Sequence, residues 1–341
     1  MSTCRVASIL LSWAVVASSV AGNAACALPP APCDHVARGE PGDPLALEAL
    51  ACFSRSEEPV LRDPVADGSY EVASDGHAFL DETGTLRMIY TGDEEGRPAI
   101  KLATGTAYDQ WEVTGSLLTQ TTAEVARNKE TAFYRLSASG QHQIYFIAYD
   151  DEETYEAQIF VAAADALSGP YTVDSTPLFG RGQQDGHDIY LMTSPSVVDY
   201  EGTLHIAYIG WNASPNEVSQ VWVLGATSED DGATWSAPRE VDVPIGMEGQ
   251  ITVGPDGRYY AVSMREHQGS EAIFLAVAEH PFGPYTVLED PVLVKGGAPY
   301  EVNEANAPMI VFDEPTRTAH LYYVGADYWR GWWMMLATAP Y

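Results

Sequence analysis

Five positions in this chain carry residues suited to acting on a polar bond, and they recur at a near-constant interval. Asp75, Glu130, Ser194, Glu248 and Glu304 are separated by about 55, 64, 54 and 56 residues. Four of the five are acidic. Carboxylates gathered in one place raise one another's pKa, because ionising them all together is costly. One can then stay protonated and deliver its proton to a leaving oxygen, while another, ionised, acts as base or nucleophile. That pairing is the chemistry of glycosidic cleavage. The bland alternative is that these acids begin strands or hold a structural cation such as calcium. No Gly-rich phosphate loop, paired-cysteine metal motif or H-E-x-x-H is present, so no metal or cofactor site is expected beyond that cation.

Bringing the five positions together requires a repeated element, and the sequence supplies one. An apolar strand, a Gly- or Asp-rich turn and an aromatic-rich strand recur at 77–90, 133–149, 195–208, 251–263 and 309–323. Each pair is followed by a small-residue strand (99–105, 158–164, 222–228, 273–279, 333–339), and GPYTV closes two of the units at 169–173 and 283–287. Four short strands per unit predict an all-β fold, a five-bladed β-propeller with four antiparallel strands per blade. The fifth unit ends at Tyr341 without a fourth strand. The ring is therefore expected to be closed by an N-terminal strand drawn from about 50–62. SEDDGATW (228–235) matches the Asp-box pattern S-x-D-x-G-x-x-W, and TAYDQW (106–111) is a weaker echo. Asp and Gly of such a box make a tight turn, and its Trp packs between blades.

Ahead of the repeat, Arg5 and the apolar stretch Ile9 to Val20 read as a signal peptide over 1–25, too short to span a bilayer. Residues 26–50 are Pro- and Ala-rich and read as a linker, and 51–341 as the propeller domain. No later segment is apolar enough for a membrane helix. Loss of the signal leaves Cys26, Cys33 and Cys52, an odd number for an oxidising compartment. Cys33 and Cys52 are expected to pair. Cys26 leaves two readings open, plain secretion or a lipidated lipoprotein terminus at the cell surface. The net charge of −31, from 17 basic and 48 acidic residues, excludes nucleic acid and anionic lipid as partners. It suits a soluble exported protein with a neutral or cationic ligand, and a monomer is expected.

At the level of motifs the repeat region resembles the five-bladed glycosidases of the arabinanase, β-xylosidase and invertase group, glycoside hydrolase families 43, 32 and relatives. SDGHAFL (74–80) looks like the group's A-D-P-S-V-I strand, and MEGQITV (247–253) is similar to its E-G-P-x-V. The resemblance implies Asp75 as general base, Glu248 as general acid, and inversion. Two residues depart from the pattern. Gly76 stands where the group has proline, and Ser194 stands where a blade-three Asp tunes the acid. Asp188, Asp185 a turn earlier, or Glu130 are the residues that would reach the same place.

Strand alternation puts the starts of the first strands and the loops between second and third strands on one face. Those loops offer sugar-binding groups: Trp211 in blade three, Arg265 in blade four, Trp329 in blade five. Aromatic faces stack on sugar C–H surfaces and fixed donors pair with hydroxyls. His77 and His187 are placed near the axis, as polar groups satisfied by neighbours or as ligands of a metal-linked water. Together with Glu304 and Ser194 they complete the expected substrate contacts. The sequence thus favours an exported glycoside hydrolase acting on a plant or microbial polysaccharide or oligosaccharide. A non-catalytic carbohydrate-binding propeller and a protein-binding scaffold are its competitors.

Overall fold

Each repeat folds as its turn residues dictate. In the first, Asp81 accepts hydrogen bonds from the Thr83 and Thr85 amides at 2.9 Å each, and Gly84 takes the left-handed conformation (φ 78°) that closes the hairpin. The computed structural model describes residues 45, 47–119, 127–150, 156–212 and 220–341. The expected signal peptide, most of the linker, Cys26 and Cys33 lie outside them. Cys52 is disulfide-bonded. Among the described residues the helical content is one 3-10 turn, Leu47–Ala51, and none of their helices is long and apolar enough to cross a membrane.

The remaining regular structure of the described residues is strand. After a short β1 (Ser54–Arg55), sheet I comprises β2 (Glu71–Leu80), β3 (Leu86–Glu94), β4 (Arg97–Ala107) and β5 (Gln110–Leu118). Sheet II comprises β6 (Asn128–Leu136), β7 (His142–Tyr149), β8 (Gln158–Ala164) and β9 (Thr172–Val173). A two-stranded hairpin, β10 (Gly182–Gln184) and β11 (His187–Ile189), precedes sheet III: β12 (Leu191–Tyr200), β13 (Thr203–Trp211), β14 (Val221–Ser228) and β15 (Arg239–Glu240). Sheet IV comprises β16 (Glu248–Val253), β17 (Tyr259–His267), β18 (Ser270–Ala278) and β19 (Thr286–Val287), with β20 (Leu293–Val294) also on β18. Sheet V comprises β21 (Glu304–Asp313), β22 (Thr318–Asp327) and β23 (Gly331–Pro340). Its fourth strand is β1, with Ser54 opposite Thr338 and Arg55 opposite Ala337. The missing strand is thus supplied from the N-terminal side, as the sequence demanded. Within each sheet neighbouring strands are antiparallel; one short parallel contact, Glu71–Val72 against Gly331–Trp332, links sheets I and V.

The first strand of each sheet lies against the first strand of the next, β2 on β6, β6 on β12, β12 on β16, β16 on β21, and β21 again on β2. Apolar clusters fill the spaces between consecutive sheets, including the one between V and I. Sheets covered on both faces have near-continuous apolar strands rather than a clean alternation. In β22, Tyr322 packs toward sheet I and its neighbour Tyr323 toward sheet IV, both fully buried.

The Asp box behaves as its pattern requires. Asp230 accepts from the Thr234 amide at 2.8 Å, and the Trp235 indole N–H reaches the Gly232 carbonyl at 3.2 Å. Trp235 then meets Tyr145 and Phe179 edge-on, each at 6.3 Å, across the space between sheets III and II. Trp111 of the weaker echo does the same against Tyr322 of sheet V, at 5.7 Å. Replacing Trp235 by Ala should cost about 2–3 kcal/mol, the lower end of large-to-small values because the ring is only half-buried. Urea unfolding measures it, and a cost below about 0.5 kcal/mol would deny the ring its role between sheets.

Candidate active site

β-Bulges shape the inner strands. Register slips occur between Ser74 and His77 in β2, Glu130 and Phe133 in β6, Thr193 and Ser196 in β12, and Asn306 and Met309 in β21. Each slip holds a non-glycine residue at positive φ: Asp75 (45°), Thr131 (50°), Ser194 (52°) and Ala307 (43°). Such conformations are costly for L-residues, Thr above all, and they re-aim the side chain. This corrects the equivalence read from spacing. Asp75 and Ser194 are bulge residues; Thr131, not Glu130, occupies that place in sheet II, and Ala307, not Glu304, in sheet V. Counting back from the hairpins, Glu248 matches Glu130, and Glu304 starts its strand two residues earlier.

The residues just after the bulges stitch the sheets together. His77 Nδ1 accepts the Tyr134 amide of sheet II at 2.9 Å, and the ring stacks on Phe133 at 3.9 Å. Burial pushes its pKa down to about 3, so His77 is neutral and structural. Ser196 Oγ accepts the Ile251 amide of sheet IV at 3.3 Å. Gln250 donates to the Gly76 carbonyl at 2.8 Å, joining sheet IV to sheet I beside the two expected catalytic residues. A side chain at Gly76 would press on the terminal methyl groups of Met309 and Met334, which would have to shift to admit it.

Four carboxylates from four strands act on one another here: Asp75 (β2), Glu248 (β16), Glu271 (β18) and Glu304 (β21). Glu248 is 6% exposed. Burial raises its pKa well above the usual carboxylate range, and the charges of Asp75, Glu304 and Glu271 push the same way. The Ala307 amide, donating to Glu248 Oε2 at 3.0 Å, pulls weakly against them. Asp75 is pushed up to about 6, first by burial and further by Glu304, against a lowering hydrogen bond from Ser74. Glu271 is raised by burial, with the Ala305 amide on its Oε2 at 2.9 Å and Lys295 opposing. Glu304 accepts from Tyr328 Oη at 2.5 Å, Asn306 Nδ2 at 2.7 Å and Trp332 Nε1 at 3.3 Å. Tyr70 and Tyr328 flank Trp332, at ring distances of 5.5 and 5.6 Å.

The other expected site residues divide. Trp329 is 91% exposed at the β22–β23 turn, beside the Tyr328 that contacts Glu304. It is free to stack on a ligand at this rim. Trp211 is 4% exposed within the apolar cluster of sheets II to IV, so its face is core and not a stacking platform. Arg265 donates to the Pro244 carbonyl at 2.9 Å and lies over Phe274. Glu130 accepts from Tyr149 Oη at 2.6 Å and is not among the charges acting on Asp75 or Glu248. Asp188 is exposed, and His187 stacks on Trp222 and pairs with Glu240 at 3.0 Å. Their hairpin is tied to β15, the outer strand of sheet III, and so cannot stand in for an acid at Ser194. The sequence reading missed Glu271 and the Glu304 partners Asn306 and Trp332. An acid opening an otherwise apolar third strand, as Glu271 does in SEAIFLAVA, is the signal that pointed there. Among the described residues no group of three or more His, Cys, Asp or Glu side chains is placed to hold a metal ion.

No family model matches the sequence, and no curated protein matches it. Solved structures do. The GH43_1 enzyme of Xanthomonas citri is 18% identical over 86% of this chain and 93% of its own, with a TM-score of 0.58. The α-L-arabinofuranosidase PaAbf62A of Podospora anserina, in complex with cellotriose, is 11% identical over 85% and 96%, with a TM-score of 0.61. The chain shares the fold of glycoside hydrolases. That fold also carries other sugar chemistry: an N-acetylgalactosamine deacetylase from F. plautii, in complex with blood group B trisaccharide, is 11% identical over 84% and 95%, with a TM-score of 0.62.

Proposed function

We propose that this chain is an exported glycoside hydrolase whose five sheets close as a five-bladed β-propeller, and that it cleaves plant or microbial polysaccharides or oligosaccharides. One observation carries the reading. Asp75 and Glu248, on strands far apart in sequence but tied through Gln250 and Gly76, are brought to one place, where burial raises both carboxyl groups and the Asp75 charge acts on Glu248. One of two such carboxyl groups holds its proton while the other ionises, which is the division between acid and base. Glu248, raised well above the usual carboxylate range, is the acid and delivers its proton to the glycosidic oxygen as the bond to the anomeric carbon breaks. Asp75, ionised above about pH 6, takes a proton from the water that attacks that carbon from the opposite side. The sugar leaves with inverted configuration. Trp329 supplies the stacking surface at the entrance, and the acidic walls favour neutral or cationic sugars.

The test is release of reducing sugar from arabinan, xylan, fructan and aryl glycosides, with product configuration followed by proton NMR. Hydrolysis lost in Asp75→Asn and Glu248→Gln, with the inverted anomer formed first, supports the proposal. Glycan binding without turnover, unaffected by either substitution, would establish the binding-module reading instead. Trp329→Ala should raise KM for an oligosaccharide about tenfold, the scale of one aromatic contact, and leave stability unchanged, since the ring touches little of the protein. An unaltered KM would remove Trp329 from the binding surface.

A further inference from the structure

The N-terminal end of β21 organises this site more than any other segment. Within the four residues Glu304–Ala307, the Ala305 amide holds Glu271, the Ala307 amide holds Glu248, and Glu304 adds its own carboxylate. The Ala307 amide belongs to the bulge residue at φ 43°, so the strained turn has a direct effect: it presents an N–H to the acid. Glu304 is 4% exposed and fixed by donors from three positions, Tyr328 and Asn306 and Trp332. A buried carboxylate with that many donors cannot swing away, and its charge acts at a set place. Among the described residues, Glu304 is the carboxylate whose charge raises both Asp75 and Glu248.

We propose that Glu304 is the positioning residue of the site: anchored by Tyr328, Asn306 and Trp332, it holds a negative charge beside Glu248 and Asp75 and thereby fixes their division of labour. The inference rests on the hydrolase reading and adds a residue to it. The task expected of a sheet III carboxylate, where the chain has Ser194, is thus carried from sheet V. The groups facing Glu248 are Asp75 from β2, Glu271 from β18 and Glu304 from β21; Tyr70 and Tyr328 face Glu304, Asp327 faces Tyr70, and Lys295 faces Glu271. Removing the Glu304 charge makes it easier for Glu248 to lose its proton, and leaves it a poorer acid at neutral pH.

The experiment compares Glu304→Gln, Glu304→Asp and Tyr328→Phe with the unaltered protein. Two quantities are read: the pH profile of kcat/KM, and the pH at which Glu248 ionises. The second is followed by the infrared carboxylic C=O band that Glu248→Gln abolishes. In Glu304→Gln both the basic limb and the band midpoint should fall by about one pH unit, the scale of one nearby like charge. kcat should fall about tenfold or more while KM changes less than threefold. Glu304→Asp should restore most of both. Tyr328→Phe, which keeps the carboxylate but removes one donor, should shift both in the same direction by a smaller amount and serves alone should Glu304→Gln not fold. A midpoint that stays put in both Glu304→Gln and Tyr328→Phe, or in Tyr328→Phe alone where Glu304→Gln does not fold, overturns the proposal, whatever happens to kcat. The infrared titration needs no turnover. A protein without hydrolytic activity would defeat the hydrolase reading, while the band would still decide the role of Glu304.

Discussion

Glu248→Gln should lower hydrolysis by about a thousandfold or more and, in the same protein, raise stability at neutral pH. The activity loss follows from removing the proton donor, since general acid catalysis contributes about 10²–10⁴ in rate. The gain in stability follows from linkage. Asp75 and Glu248 have folded-state pKa values above those of the unfolded chain, so the folded protein retains protons that the unfolded one has shed. Stability from these groups is fully present below about pH 4, the unfolded value, and is lost as pH rises through the folded values. For Asp75 that window runs from about 4 to the folded value of about 6. Two pH units correspond to about 3 kcal/mol as an upper figure. Asp75→Asn and Glu248→Gln should therefore be more resistant to urea than the parent at pH 7.5 and no more resistant at pH 4. Equal effects at both pH values would show that the carboxyls are not strained by ionisation. More than a tenth of parental activity in either variant would end the acid–base assignment. The parental kcat/KM should rise through about pH 6 on its acidic side, as Asp75 ionises, and fall on its basic side as Glu248 does.

The convergence of Asp75 and Glu248 could be read from the chain because repetition is a property of sequence: hairpin turns such as DETGT and GPDGR recur with the repeat period. The strand from the N-terminal side was equally legible, and β1 does pair with β23. The bulges were not legible. They add one residue to a strand without changing its composition, and Thr131, Ser194 and Ala307 are not the Gly or Asn that usually announce positive φ. Glu130 lies one residue and Glu304 three residues ahead of Thr131 and Ala307, the positions that match Asp75. Trp211 failed for a different reason. In sheets buried on both faces, an aromatic at a strand end is as apt for the core as for a loop. Asp188 sits on a hairpin that pairs with itself and leans on β15, a placement that depends on Asp185 and His187 meeting Glu240. Glu271 lay in plain view but outside the first strands, where the spacing argument did not look.

Arg55→Ala should cost about 3–5 kcal/mol, more than any surface substitution in this chain, because it strands a buried charge. The β1 strand contributes Ser54 and Arg55 to the ladder of sheet V, and the Ser56, Val60 and Leu61 amides add hydrogen bonds to the Leu336 and Met334 carbonyls. The Arg55 side chain adds a further tie. Arg55 Nη1 reaches Glu301 Oε2 at 2.9 Å, and Nη2 reaches the Val294 carbonyl at 2.5 Å. The Glu301 side chain is 0% exposed and also accepts the Gly296 and Gly297 amides at 3.0 and 2.9 Å and Tyr323 Oη at 2.6 Å. Loop 294–301, sheet V and the N-terminal strand therefore meet at one carboxylate. Gly297 must lack a side chain for this to occur, since a Cβ there would lie 1.4 Å from Arg55 Nη1. With Arg55 truncated, Glu301 keeps its donors but loses its cation, and the closing strand of sheet V loses its side-chain tie to loop 294–301. The double variant Arg55→Ala, Glu301→Gln removes the orphaned charge and should recover a kcal/mol or more of the loss. Urea denaturation of the three variants gives the cycle. An Arg55→Ala cost below about 1 kcal/mol, the range of an exposed pair, would show that the edge of sheet V holds without this latch. A double variant no better than the single would show that the loss comes from missing contacts rather than from charge.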